Sequence, residues 1–263
     1  MKIFRNKRGQ ITIFIIVALV IVALIVVFFA LSKTGIIKIP AIFPGQDTDL
    51  KSQFIKCVED NKNIDNSVKL ISSQGGSLNP SNYILYDSVK VEYLCYINEY
   101  YKPCVMQKPL ILNNAESEIR KASIEEISKC METVKKNIEA QGNVVSLGKM
   151  ELNVSIIPEN IIYSVKYPVT IQKNENQQKY DIFEIRKPSE LYQMIMVSTS
   201  ILNYEARYGE ADILTYMTYY PTIRVNREKM DDGSTVYFLS ERNTKEVFMF
   251  AVRSYAWPAG YSG

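Results

Sequence analysis

Few residues in this chain have the chemistry to act. Four cysteines stand at Cys57, Cys95, Cys104 and Cys130, and there is no histidine. The missing imidazole removes the commonest general base, the commonest metal ligand and the usual pH switch. No Cys-x-x-Cys occurs, so zinc-ribbon and thioredoxin signatures are lacking. The nearest carboxylate pairs are Glu125/Glu126, on a helix face, and Asp231/Asp232, in a turn. Ser198 and Ser200 lack a nucleophile elbow and would need a lysine base. Gly75–Gly76 reads as a helix stop, since neither a Walker loop nor a Gly-x-Gly-x-x-Gly is present. Asn153-Val154-Ser155 is an N-glycosylation sequon. Three aromatic clusters, "YINEYYKPC", "TYMTYYP" and "SYAWPAGY", hold many of the 18 tyrosines and the one tryptophan. They suit a contact surface for a protein partner, a glycan or a sister subunit, or half-buried positions in a sheet. The expectation is a protein that is not an enzyme and carries no cofactor or metal.

An even number of cysteines in an exported domain suggests disulfides, and four allow three pairings. Cys95–Cys104 would clamp the arms of a Tyr-rich loop. Cys57 and Cys130 each fall on the apolar face of a predicted helix, which favours their pairing. The alternatives are small core residues or a four-thiolate metal site.

The elements that position these residues begin with a membrane segment. Ile11–Leu31 is 21 residues without a charge, a helix of roughly 31 Å, long enough to cross a hydrocarbon core. Lys2, Arg5, Lys7 and Arg8 precede it, which places the N-terminus in the cytoplasm and the rest outside. The expected localisation is therefore the cell membrane, single-pass, with the lipid bilayer as partner of Ile11–Leu31. Ala30 and Ser32 also form a weak signal-cleavage pattern. Four of the 31 basic residues and none of the 28 acidic ones lie in Met1–Leu31. The remainder holds 27 basic against 28 acidic residues, so it lacks the basic footprint of a nucleic-acid binder.

The expected organisation is a basic stub or leader over 1–10, the membrane helix, a linker over 32–46, an α+β domain over 47–256 and a loose tail over 257–263. Leu50, Phe54, Cys57, Val58, Asn61, Ile64, Val68 and Ile71 recur at helical spacing and predict one helix over Asp49–Ser73. Val89–Ile97 alternates like a hairpin strand. A second helix is predicted over Asn114–Ala140, capped by Asn113. Three alternating strands follow: "KMELNVSII", "NIIYSVKYPVTIQK" with an edge or bulge at Pro168, and "KYDIFEIR". A third helix, capped by Ser189, runs to about Tyr208, and a short one covers Ala211–Tyr219. Three strands close the chain, with a hairpin at "MDDGST" and a last strand, Val247–Val252, apolar enough to be central and buried on both faces. The fold class is α+β, with helices packed on antiparallel sheet.

"KRGQI" resembles the site cut by archaeal prepilin peptidases, with Arg8, Gly9 and Gln10 as the processing residues and cleavage after Gly9. That likeness implies a type IV pilin-like filament subunit that keeps its hydrophobic helix. The chain departs from the pattern at Phe14, where many type IV pilins carry glutamate, and at Gly35, Pro40 and Pro44, which break the chain soon after the membrane. The "KRGQITIFII" start, "QGG", "VKYPVTI" and "FMFAVR" together resemble a family of single-pass membrane proteins of small-genome archaea. That family tends to carry a cysteine in each of its first two helices, which implies a Cys57–Cys130 pair, with Cys95/Cys104 an addition. The resemblance implies an archaeal cell-surface protein with an extracytoplasmic domain and no particular activity. Three readings therefore stand: a membrane-anchored surface protein with a structural or interaction role, a filament subunit, and a His-independent enzyme.

Overall fold

The computed structural model describes residues 48–174 and 176–258. The expected membrane helix Ile11–Leu31, the linker, the Arg8–Gly9–Gln10 site and the last five residues lie outside the described residues. Among those described, no helix is long and apolar enough to cross a membrane.

The first apolar stripe forms two helices, α1 (Thr48–Glu59) and α2 (Lys62–Ser73), not the single one expected. Asn61 breaks it. Its backbone is extended, and its side chain accepts from the Asn63 and Ile64 N–H groups at 2.9 and 3.2 Å, starting a new helix. Leu50, Phe54, Val58, Ile64 and Ile71 remain buried on a common side. Gly75 and Gly76 then take φ values of +77° and +87°, and the Gly76 N–H closes on the Ile71 carbonyl at 2.9 Å. This is a glycine C-cap of the Schellman type.

β1 (Tyr83–Tyr86) and β2 (Val89–Tyr96) form a hairpin. Asp87 and Ser88, both at positive φ, make its two-residue turn. β3 (Val105–Met106) returns along the far half of β2. α3 (Ile111–Glu139) starts ahead of the expected Asn113 cap. Burial of Ile111 extends the helix, while the Asn114 amide donates to the Gly76 carbonyl at 2.7 Å.

β4 (Val144–Leu147), which the sequence reading did not include, and β5 (Glu151–Ile157) line one edge of β6 (Asn160–Lys173). β7 (Asn176–Pro188) lines the other. The β6–β7 register shifts between Lys166 and Val169, which is the bulge that Pro168 implied. α4 (Leu191–Tyr208) and α5 (Ile213–Tyr219) precede β8 (Ile223–Lys229), β9 (Thr235–Glu241) and β10 (Val247–Arg253). Ser189 Oγ accepts from the Leu191 N–H at the start of α4.

The larger sheet has the order β1-β2-β10-β9-β8, with β3 also on β2. β10 is central and buried on both faces from Phe248 to Arg253. Contrary to what alternation led one to expect, the larger sheet is not antiparallel throughout. β2 and β10 run parallel, so the large sheet is mixed and only the small one is wholly antiparallel. The 150 residues between them supply the crossover that a parallel pair requires.

The class is α+β. Phe248, Phe250 and Val252 point into the main core with α2 and α4, whereas Met249 and Ala251 point to the opposite face beside Val91, Tyr93 and Val236. α3 packs Ala115, Ile119, Ile127 and Val134 toward the small sheet's buried row, Leu152, Val154 and Ile156. Full burial of each valine, isoleucine or phenylalanine side chain among these contributes about 1.5–3 kcal/mol.

Candidate functional site

The four cysteines form two disulfides. Cys57 on α1 joins Cys130 on α3, with Cα atoms 5.7 Å apart, and Cys95 on β2 joins Cys104 just before β3, at 5.4 Å. The second bridge closes the loop that displays Tyr100 and Tyr101. Both of its cysteines are buried, while every residue from Asn98 to Pro103 is exposed.

That loop lies against the segment after β10. The Tyr101 N–H donates to the Ala256 carbonyl at 3.1 Å, and the Tyr255 N–H donates to the Lys102 carbonyl at 2.7 Å. The Cys104 N–H donates to Ser254 Oγ at 3.1 Å, and that hydroxyl donates to the Glu205 carbonyl on α4 at 2.9 Å. Tyr101 and Tyr255 both hold positive φ, +57° and +46°. For bulky side chains this backbone costs of order 1–3 kcal/mol and persists only where the surroundings enforce it. The reciprocal bonds supply that enforcement.

The rings face outward. Trp257 and Tyr101 meet edge to face at 5.2 Å, and Trp257 is 57% exposed. Tyr204 and Tyr208, 4.9 Å apart, continue the surface along the end of α4. A Cβ on Gly209 would sit 2.8 Å from the Tyr255 ring, so glycine at the helix end lets that ring approach the backbone closely. Arg253 anchors the floor: its guanidinium donates to the Ile97 carbonyl at 2.6 Å and the Asp232 carbonyl at 3.1 Å, and lies 5.3 Å from the Tyr100 ring centre. Glu99 and Lys102 pair with each other, so the loop adds no net charge.

Two of the three aromatic clusters in the sequence thus meet in one patch. The third sits on α5, beside β8, with Tyr216 held by Ser200 and Tyr219 exposed. Sequence reasoning missed Arg253, Gly209 and the Tyr204/Tyr208 pair. The lone arginine ending an apolar strand was the available signal.

The other candidates are occupied elsewhere. Glu126 is held below the usual carboxylate range by the Lys129 ammonium, and Glu125 pairs with the same lysine. Asp232 accepts from the N–H and hydroxyl of Ser234 in the hairpin turn. Ser198 is buried and donates to the Met194 carbonyl. Asn153 is exposed on β5.

Two buried polar networks were not foreseen. Ser77 donates to Glu92 at 2.6 Å, Lys108 bridges both, and Asn114 donates to Ser77 at 3.2 Å. The serine is 3% exposed and its hydroxyl is saturated, so the cluster ties the glycine turn to β2 and α3 and presents no free nucleophile. On α4, Glu205 accepts from the Tyr237 hydroxyl and from the Ala211 N–H at 3.0 Å. Burial raises its pKa above the ordinary carboxylate value and raises that of Tyr237 too.

A cavity of about 420 Å³ lies between α2, the first turn of α4 and Lys245–Val247. Its walls include Leu70, Leu191, Met194 and Val247, and its Glu246 is already bonded to the Glu190 N–H. Among the described residues no group of three or more His, Cys, Asp or Glu is placed to hold a metal ion. Comparison with family models, curated proteins and solved structures returns no match.

Proposed function

We propose that this chain is a single-pass, membrane-anchored cell-surface protein with a non-enzymatic interaction role. Its exported domain meets a protein partner or a sister subunit through the Tyr100, Tyr101, Tyr255 and Trp257 surface. The observation that carries the reading is the pair of positive-φ tyrosines locked by reciprocal backbone bonds, with the Tyr101 ring exposed beside Trp257 and the Tyr255 ring partly covered by Gly209. Backbone strain held this firmly beside exposed aromatics is spent on presentation rather than on the core. Tyrosine and tryptophan bury large contact area at small rotamer cost. The charge-free run Ile11–Leu31 and its basic flank support the anchor, and two disulfides support an oxidising compartment.

A photo-crosslinking residue placed at Tyr101 or Trp257 in the full-length protein, in its native membranes, should give a discrete adduct. The same residue at Glu125, on the solvated face of α3, should give none. Equal adducts from all three positions would refute the contact surface. "KRGQI" favours a second reading, a filament subunit processed after Gly9. N-terminal sequencing of the native protein separates the two. Met1 supports the plain anchor and Gln10 the filament subunit, while a start after Ser32 excludes both.

A further inference from the structure

The geometry points to Asn153 as a glycan attachment site, an inference that rests on the extracytoplasmic placement proposed above. Asn153-Val154-Ser155 is the chain's one Asn-x-Ser/Thr triplet without a central proline; the other, Asn79-Pro80-Ser81, is blocked by Pro80. The fold treats the triplet as an acceptor needs it treated. Val154 is 3% exposed and points into the core against α3, while Asn153 and Ser155 project from the opposite face of β5. The period of two in a strand sets the amide beside the hydroxyl, with Nδ2 and Oγ 3.4 Å apart. Among the described residues β5 pairs with β6 alone; on its other edge the Glu116 carboxylate of α3 accepts from the Ile156 N–H at 2.9 Å, three residues beyond Asn153.

The surroundings leave room for a sugar. Directly across from Asn153 is Ser164, the smallest hydroxyl neighbour available, and the flanking Glu151 and Lys166 pair with each other at 3.6 Å. The first sugar would lie over the hydroxyls of Ser155 and Ser164. The Tyr/Trp surface belongs to the other sheet, so a glycan here caps the outer face of the small sheet and leaves the contact patch uncovered.

The reaction is a group transfer from a lipid-phosphate-linked sugar. The Asn153 Nδ2 forms a bond to the anomeric carbon, the bond from that carbon to the phosphate oxygen breaks, and the lipid phosphate leaves. The amide gives up one proton to solvent and nothing is oxidised or reduced.

The test is peptide mass spectrometry across residues 150–157 of the full-length protein from its native membranes, with non-reducing mapping of the four cysteines in the same sample. A sugar mass on Asn153, absent from N153Q and S155A and kept in S155T, is the expected result. Bare Asn153 beside two formed disulfides would overturn the proposal and leave the surface reading standing. Bare Asn153 with four free thiols would overturn both. Should N153Q or S155A fail to accumulate, the wild-type peptide decides alone.

Discussion

Removing the two disulfides separately should damage the protein in different ways. Cys57–Cys130 spans 73 positions and Cys95–Cys104 spans 9. On the chain-entropy account, the closure entropy is about 15 cal/mol/K for the first and about 8.7 for the second. At 25 °C that is about 4.4 against about 2.6 kcal/mol, a gap of about 20-fold in the unfolding equilibrium. With a urea m-value of about 3 kcal/mol/M, the midpoint should fall by about 1.5 M in C57A/C130A and about 0.9 M in C95A/C104A. The short bridge has a second effect that the long one lacks. It holds the loop whose Tyr101 touches Trp257, the protein's one tryptophan. C95A/C104A should therefore change native tryptophan emission before any urea is added, while C57A/C130A leaves it unchanged. The assay is urea unfolding of the full chain in detergent, followed by far-UV circular dichroism and by fluorescence together. The reasoning fails if the short-loop variant is the less stable of the two, or if native emission is the same in both.

Glu205, whose pKa burial raises, should make the fold more stable in acid. Its contribution is fully present below the ordinary carboxylate value of 4.5 and is lost as pH rises through the folded value, so Glu205→Gln should flatten that decline in a pH series of melting temperatures. Gly75→Ala puts a Cβ 2.9 Å from the Glu92 Cβ at φ +77° and should cost about 2 kcal/mol or more. Gly142→Ala, at φ +82° with nothing within 4 Å, should cost about 1 kcal/mol in the same denaturation assay. Lys108→Met strands the buried Glu92 carboxylate and should cost about 2–3 kcal/mol, with part recovered in Lys108→Met/Glu92→Gln. Tyr101→Gly should relieve backbone strain, raising stability by about 1 kcal/mol while it abolishes the crosslink from Trp257; a loss of stability would show that the ring is structural.

Alternation and helical spacing located most elements because burial of one face is a local property. β5, β6 and β10 could be read from their own residues, as could the hairpin at Gly233. The break at Asn61 could not be read from periodicity, because the asparagine sits in register with Val58 and Ile64 and interrupts the helix through its side chain alone. Asn113 looked like a cap, but the burial of Ile111 outweighed it. The parallel β2–β10 pair was hidden because alternation identifies a strand without naming its neighbour. The cysteine pairs were legible from spacing and helix faces. The aromatic patch was legible as composition only, since its assembly depends on Tyr101 and Tyr255 meeting across about 150 residues.

The central place of β10 has a consequence for how the chain is made. Residues 144–188 build the small sheet from neighbouring strands, so that sheet can close as soon as it emerges during synthesis. The β1–β2 hairpin has no such option. One side of β2 must wait for a strand that ends at residue 253, the last regular element described. Until residue 253 has been made, the β2 edge carrying Tyr93, Cys95 and Tyr96 stays open to any other strand. Premature termination before Val247 would leave that edge unpaired for good, and such truncated products should aggregate rather than persist as partly folded domains.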